Sequence, residues 1–260
     1  MSAPLSPTFP PPRSAAADGA GAPSAEPVVR LEQVTRVYQQ DGMAVRALDG
    51  VDLAIARGDF AVLVGPSGSG KTTLLNVMGG LDSPTTGRIW IAGVETGSMS
   101  KAELSQMRLH QIGFVFQEFN LIPVLSALEN VEFVMLLQGV PEAQRRARAM
   151  DMLQELGLQG LEHRRPAELS GGQQQRVAVA RAIAAEPVIV LPDEPTANLD
   201  SKAGAALMDL MRRLNEEKGV TFVFSTHDPM VVERARRVIR LRDGRVESDE
   251  RKPTAQAGRP

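Results

Sequence analysis

Phe60-Ala61-Val62-Leu63-Val64-Gly65-Pro66-Ser67-Gly68-Ser69-Gly70-Lys71-Thr72-Thr73-Leu74-Leu75-Asn76-Val77-Met78 is the stretch on which the reading of this chain turns. Residues 65–72 fit the phosphate-cradling pattern G-x-x-x-x-G-K-[ST]. The apolar run before the loop predicts a buried strand, and the run after it predicts a helix closed by Gly79-Gly80. A Gly/Ser turn can match the pattern by accident, but a strand before it and a helix behind it give the loop the context it needs. Its glycines let backbone N–H groups turn inward onto phosphate oxygens, and the helix N-terminus adds partial positive charge. The stretch Gly65, Pro66, Ser67, Gly68, Ser69, Gly70, Lys71, Thr72 and Thr73 is therefore a candidate nucleotide site. Lys71 would reach the β- and γ-phosphates, and Thr72 would hold Mg²⁺.

A chain of 260 residues can bury a full α/β core, and one domain with an inserted subdomain is as reasonable as two domains. The formal net charge of −2 argues against strong non-specific nucleic-acid binding. With no cysteine, disulfides, zinc–thiolate sites and thiol nucleophiles are excluded. No apolar run approaches the ~18 residues of a membrane-spanning helix, and no basic segment leads into an apolar one at the N-terminus. The expectation is a cytoplasmic protein whose contact with a membrane comes through a partner.

Outward from the loop, residues 1–27 are rich in Pro, Ala, Ser and Gly and read as a disordered tail. Short β segments follow at Val34–Tyr38, Arg46–Leu53 and Thr86–Ile91, with a short helix at Lys101–Leu109. The strand Ile112–Gln117 ends on a polar amide, so Gln117 sits where open α/β folds place ligand-contacting groups. From Phe119 to about Arg181 the pattern turns mainly helical, and we read it as an insertion in the α/β core. Within it, Ser170 caps a second helix behind Gly171 and Gly172, whose lack of side chains leaves the first N–H groups open to an anion. Alone, Ser-Gly-Gly before a helix is an ordinary cap. The strand Val188–Leu191 delivers Pro192, Asp193 and Glu194 to its carboxyl end, a pair of acids suited to Mg²⁺ and to an attacking water. A helix at Ser201–Lys218 stops at Gly219, and the strand Thr221–Ser225 ends on Thr226-His227. Pro229 at the first position of the next helix makes Asp228 its cap. A hairpin around Asp243-Gly244 closes the fold, and residues 247–260 read as polar and frayed. His110 and His163 have no comparable placement and read as surface or structural residues.

In this order and at this spacing the pieces resemble the ATP-binding cassette (ABC) family over about Val29 to Val246. Gly65–Thr72 is similar to the family's Walker A loop, Gln117 to its Q-loop, and Leu169-Ser170-Gly171-Gly172-Gln173 to its signature. Val188–Asp193 resembles Walker B, Glu194 the catalytic glutamate, Ala197–Asp200 the D-loop, and His227 the switch histidine. Tyr38, which by itself is an ordinary strand aromatic, takes the place of the aromatic that stacks on adenine. The resemblance implies a P-loop NTPase core with an antiparallel β subdomain and an inserted helical subdomain. It implies a domain spanning residues 28–247, between the disordered tail and a polar C-terminal tail at 248–260.

It further implies a head-to-tail homodimer that sandwiches ATP, with Ser170, Gly171, Gly172 and Gln173 of one copy facing the Walker loops of the other. Thr72 and Gln117 would touch Mg²⁺ and Asp193 would hold it through water. Glu194 would polarise the attacking water, and His227 would contact the γ-phosphate. An integral membrane permease subunit would be the partner, at the cytoplasmic face of the membrane. Within the family, Gly79–Asp82, Ile112–Gln117 with Phe119–Pro123, and Leu169–Arg176 look most like ATPases of lipoprotein-releasing and macrolide-export systems, with cell-division ATPases close by. Pro192 departs from the small residue usual before the Walker B acid, and Glu118 from the apolar residue usual after the Q-loop glutamine.

A chromosome-maintenance ATPase would need a long coiled coil, and no sustained heptads occur between Gln117 and Ser170. A translation factor usually carries two cassettes, and one is present. A membrane partner that moves no substrate and only transmits force stays open as the alternative to transport.

Overall fold

The computed structural model describes residues 26–40 and 42–252. The expected N-terminal tail, apart from its last two positions, lies outside the described residues. Strands β1 (Val29–Gln40), β2 (Met43–Ile55), β3 (Phe60–Val64), β4 (Thr86–Ile91) and β5 (Val94–Glu95) occupy the first part, with α1 (Lys71–Met78) between β3 and β4. Next come α2 (Lys101–Gln111), β6 (Ile112–Val115), α3 (Ala127–Leu137), α4 (Glu142–Glu155) and α5 (Gly171–Ala184). The chain continues through β7 (Ile189–Pro192), α6 (Ser201–Lys218), β8 (Phe222–Ser225), α7 (Pro229–Arg234), β9 (Arg237–Arg242) and β10 (Arg245–Arg251).

Two sheets result. One is antiparallel, in the order β2-β1-β4-β5; the other has the order β10-β9-β3-β8-β7-β6 and is parallel except for its edge strand β10. Every residue of β3 is buried, as a central parallel strand requires. Its alternation serves two cores. Phe60, Val62 and Val64 pack with α3 to α7, whereas Ala61 and Leu63 pack with α1 and the antiparallel sheet. On the first side Phe60 meets Phe224 edge-on, with ring centroids 4.8 Å apart. The strand is thus clamped from both faces, and the loop it delivers starts from a fixed point.

The pattern predicts shorter strands than form. β1 runs from Val29 to Gln40 because irregularities between Leu31 and Val37 let it stay paired with β2 despite an uneven apolar alternation. At the other end, the expectation of fraying from Glu247 onward is corrected as far as Arg251, where β10 pairs with β9; residues 253–260 of that expected tail lie outside the described residues. The cause is a charge cluster that local pattern hides. Arg237 donates to Asp59 at 2.6 Å and to Asp249 at 2.6 Å, and Arg251 donates to Asp59 at 2.8 Å. Asp59 and Arg237 are both buried, so each must be paired to be tolerated, and the pairing fixes β10. Among the described residues no helix is long and apolar enough to cross a membrane.

Candidate functional site

Neighbouring parallel strands deliver the candidate residues from their carboxyl ends: the Gly65–Thr73 stretch from β3, Asp193 and Glu194 from β7, and His227 from β8. Gln117 follows β6, the next strand after β7, and is exposed. The loop's glycines are sterically required. A Cβ at Gly65 would lie 2.2 Å from the Leu241 carbonyl oxygen, and one at Gly70, where φ is +100°, would lie 2.4 Å from that of Ala47. Helix α1 starts at Gly70 with no side-chain cap and no acid in its first turn. Its leading N–H groups are therefore left for an anion. Lys71 folds back and donates to the carbonyls of Gly65 (2.8 Å) and Pro66 (3.0 Å), so its ammonium is held over the loop. The buried hydroxyl of Ser69 has no partner.

Pro192 completes β7 opposite Val115, and the ladder resumes at once because the Asp193 amide donates to the Val115 carbonyl at 2.8 Å. Asp193 Oδ1 and Ser225 Oγ are buried without partners. Burial, the largest influence, raises the Asp193 pKa above the ordinary aspartate value, and the neighbouring Glu194 carboxylate raises it further. A hydrated divalent cation fits this place: it would satisfy the orphaned oxygen and favour the charged carboxylate. Among the described residues no group of three or more His, Cys, Asp or Glu side chains could hold a metal by itself. That matches a Mg²⁺ site completed by phosphate and water rather than by a protein cage.

Glu194 has φ +47°, a left-handed conformation uncommon for a non-glycine residue, which costs roughly 1–3 kcal/mol. Its backbone is held by the amide bond to the Ser225 carbonyl at 2.9 Å. Its carboxylate lies 2.8 Å from His227 Nδ1 and accepts from the Thr226 hydroxyl at 3.2 Å. The Glu194 side chain is 18% exposed and that of His227 76%, so the pair has one anchored and one open member. Asp228 caps α7 as expected and also accepts from Thr196, tying the segment after Glu194 to the one after His227.

Ser170 caps α5 in a closed box: its hydroxyl accepts from the Gln173 amide at 3.3 Å, and the Gln173 side chain accepts from the Ser170 amide at 2.8 Å. Gly171 packs near Asn198, Phe119 and Leu199, and Asn198 donates to the Gln117 carbonyl at 3.0 Å. Asp200 caps α6, accepting from Ala203 at 2.8 Å. No hydrogen bond among the described residues links Ser170–Gln173 to Gly65–Thr73. Within one chain the two phosphate candidates stand apart.

Arg181 escapes sequence reasoning. Half-buried on α5, it donates to the carbonyls of Phe119 and Asn120 at 3.0 and 2.6 Å, two consecutive left-handed residues with φ +62° and +47°. An Ala-rich helix gives no sign that one of its arginines braces a distant loop. Tyr38 lies on β1, and its hydroxyl donates to Asp82 at 2.5 Å.

The family model for ABC transporters matches residues 48–197, and this match spans the phosphate loop, Gln117, Ser170–Gln173, Asp193 and Glu194. The chain belongs to the ABC transporter family. It is a cassette that binds and hydrolyses ATP. It is 46% identical over 221 residues to the lipoprotein-releasing system ATP-binding protein LolD 1 of Rhodopseudomonas palustris, covering 84% of this chain and 98% of that one. It is 43% identical over 234 residues to the macrolide export ATP-binding/permease protein MacB 1/2 of Paracoccus denitrificans, covering 89% of this chain and 35% of that protein. Among solved structures, the dimeric post-hydrolysis state of the ATP-binding cassette MJ0796 bound to ADP and Pi matches with a TM-score of 0.79 at 46% identity, covering 86% of this chain and 98% of that one.

Proposed function

We propose that this cassette forms a head-to-tail homodimer on ATP and drives an integral membrane permease of the lipoprotein-releasing or macrolide/peptide-export type from the cytoplasmic face of the membrane. The observation that carries the reading is the placement of Asp193, Glu194 and His227 on adjacent strand ends beside the uncapped start of α1. Lys71 and the N–H groups of Gly68 to Thr73 hold the phosphates, and Tyr38 supports the base. Mg²⁺, where bound, neutralises developing phosphate charge, with Thr72, Gln117 and Asp193 as the residues that hold it. Glu194, kept in place by His227 and Thr226, accepts the proton of the attacking water. Because Ser170–Gln173 make no hydrogen bond to the phosphate loop of their own chain among the described residues, a second copy is the natural source of that helix start, together with Asp200.

Named relatives in lipoprotein release and macrolide export support the partner class. Val124, just beyond the Gln117–Asn120 loop, is 71% exposed, and Leu136 and Leu137 at the end of α3 are 50% and 57% exposed, which suits docking to a permease. The test replaces Glu194 by Gln. Hydrolysis falls by about 10²–10⁴ while ATP stays bound, and light scattering shows a dimer accumulating. Adding Ser170→Arg abolishes that dimer without weakening nucleotide binding to the monomer. A Glu194→Gln protein saturated with ATP yet monomeric in solution would refute the head-to-tail assembly.

A further inference from the structure

Tyr38 is held more firmly than a surface aromatic needs to be. Its hydroxyl donates to Asp82 Oδ2 at 2.5 Å, the same oxygen accepts from Arg36 Nε at 2.9 Å, and Arg36 Nη2 reaches Asp82 Oδ1 at 2.7 Å. The Arg36 guanidinium also lies over one face of the Tyr38 ring, 4.5 Å from its centroid. Both members of the ion pair are three-quarters buried or more, with 24% and 21% of their side chains exposed, which screens the pair less than a surface one. Asp82 itself follows α1: the amides of Leu81 and Asp82 donate to the Asn76 carbonyl at 2.9 and 3.3 Å. The stitching continues on either side, where Val37 donates to the Thr85 hydroxyl at 2.9 Å and Thr85 donates to the Thr35 carbonyl at 2.8 Å.

We propose that Arg36 and Asp82 are positioning residues that lock the Tyr38 ring as the platform for the planar base of ATP, and that they do so from the far end of the helix that holds the phosphates. An unrestrained tyrosine populates several staggered side-chain conformations, and ordering it is a cost met when the base arrives. Here the ring is bound at its tip by Asp82 and covered on one face by Arg36, so that cost is met in advance and the base is directed to the other face. Arg36 also neutralises Asp82, which would otherwise be a largely buried carboxylate without a countercharge. The proposal rests on the assignment of Tyr38 to the base.

The test uses the full chain with two ligands, Mg-ATP and Mg-tripolyphosphate, which carries the phosphates without the base. Tyr38→Ala sets the scale: it weakens ATP by roughly tenfold and leaves tripolyphosphate unchanged. Asp82→Asn and Arg36→Gln each weaken ATP by about 3- to 10-fold, again sparing tripolyphosphate. The retained tripolyphosphate affinity also shows that the variants fold. Because Tyr38 is the only tyrosine in the chain, 3-fluorotyrosine labelling gives one ¹⁹F resonance. Its shift on ATP binding is reduced in Asp82→Asn. Equal losses for both ligands, or an ATP affinity and ¹⁹F response unchanged in Asp82→Asn, overturn the positioning role. If Tyr38→Ala itself leaves the ratio of the two affinities unchanged, the base assignment fails first and the proposal falls with it.

Discussion

Helices α1 and α5 both begin at glycine-rich turns, yet they begin in opposite ways. α1 has glycine at its cap, no side chain on its N–H groups and no acid in its first turn. α5 has Ser170 and Gln173 in a closed reciprocal box. A helix start without a cap leaves its donors to be satisfied by a ligand, whereas the box satisfies the Ser170 and Gln173 amides in the free chain and leaves those of Gly171 and Gly172 open. The difference separates two tasks. On the proposed function, the first start captures phosphate and the second is a rigid surface presenting the N–H groups of Gly171 and Gly172. Other boxed starts sharpen the contrast: α2 and α3 use Ser100–Glu103 and Ser126–Glu129, with a carboxylate where α5 has a neutral amide.

Breaking the capture side gives the largest effect. Lys71→Ala removes a charge whose hydrogen bonds among the described residues are to two loop carbonyls. Charge-assisted contacts to phosphate contribute about 1.5–3 kcal/mol, so ATP affinity should fall roughly 10- to 150-fold in a calorimetric titration. The melting temperature without nucleotide should hardly move. A large fall there would mean that Lys71 supports the loop rather than the ligand.

Breaking the self-complete side has the reverse signature. Ser170→Ala should cost about 1 kcal/mol of stability, because an N-cap hydroxyl is lost from a helix that has no acidic residue in its first turn. It should leave ATP binding to the monomer unchanged. Thermal unfolding with and without ATP reads both quantities. An unchanged melting temperature would show that docking of Gly171 on Phe119 and Asn198, not the cap, holds this end of α5.

The same contrast explains what was legible in the sequence. The α1 start is local: strand, glycine loop, Lys71 and helix are consecutive, so pattern and chemistry coincide. The caps at Ser170 and Asp228 were readable for the same reason, and so was the stop at Gly219. What pattern cannot show is pairing across the chain. The left-handed backbone at Glu194 follows from its bond to Ser225, 31 positions away by numbering. The braces from Arg181 to Phe119 and from Arg36 to Asp82 join residues with no shared periodicity. The length of β10 depends on Asp59, which in sequence looks like an ordinary turn acid before β3. Sequence reaches the candidate groups; the residues that hold them in place lie far off along the chain.

The smallest and finest test converts the α5 box into the type found at α2 and α3. The carboxyls of Glu103 and Glu129 titrate below the ordinary glutamate value, first because the backbone amides of Ser100 and Ser126 donate to them. A depressed folded value means a contribution to stability that is present above the ordinary glutamate value and lost as pH falls through the depressed one. Gln173→Glu should import this behaviour into α5. At neutral pH the free protein should gain about 0.3–1 kcal/mol, since a negative charge in the first turn complements the helix dipole. The gain should vanish in acid, where the new carboxyl is protonated. In the proposed head-to-tail dimer the same charge would sit at the helix start that faces an ATP phosphate of the other copy, so ATP-driven dimerisation of the Glu194→Gln background should weaken as the monomer becomes more stable. Melting curves at neutral and acid pH, paired with light scattering in ATP, read the two effects in opposite directions. If both stability and dimerisation rise together, the amide at 173 is not there to keep charge away, and the distinction between α5 and the other boxed helices carries no functional meaning.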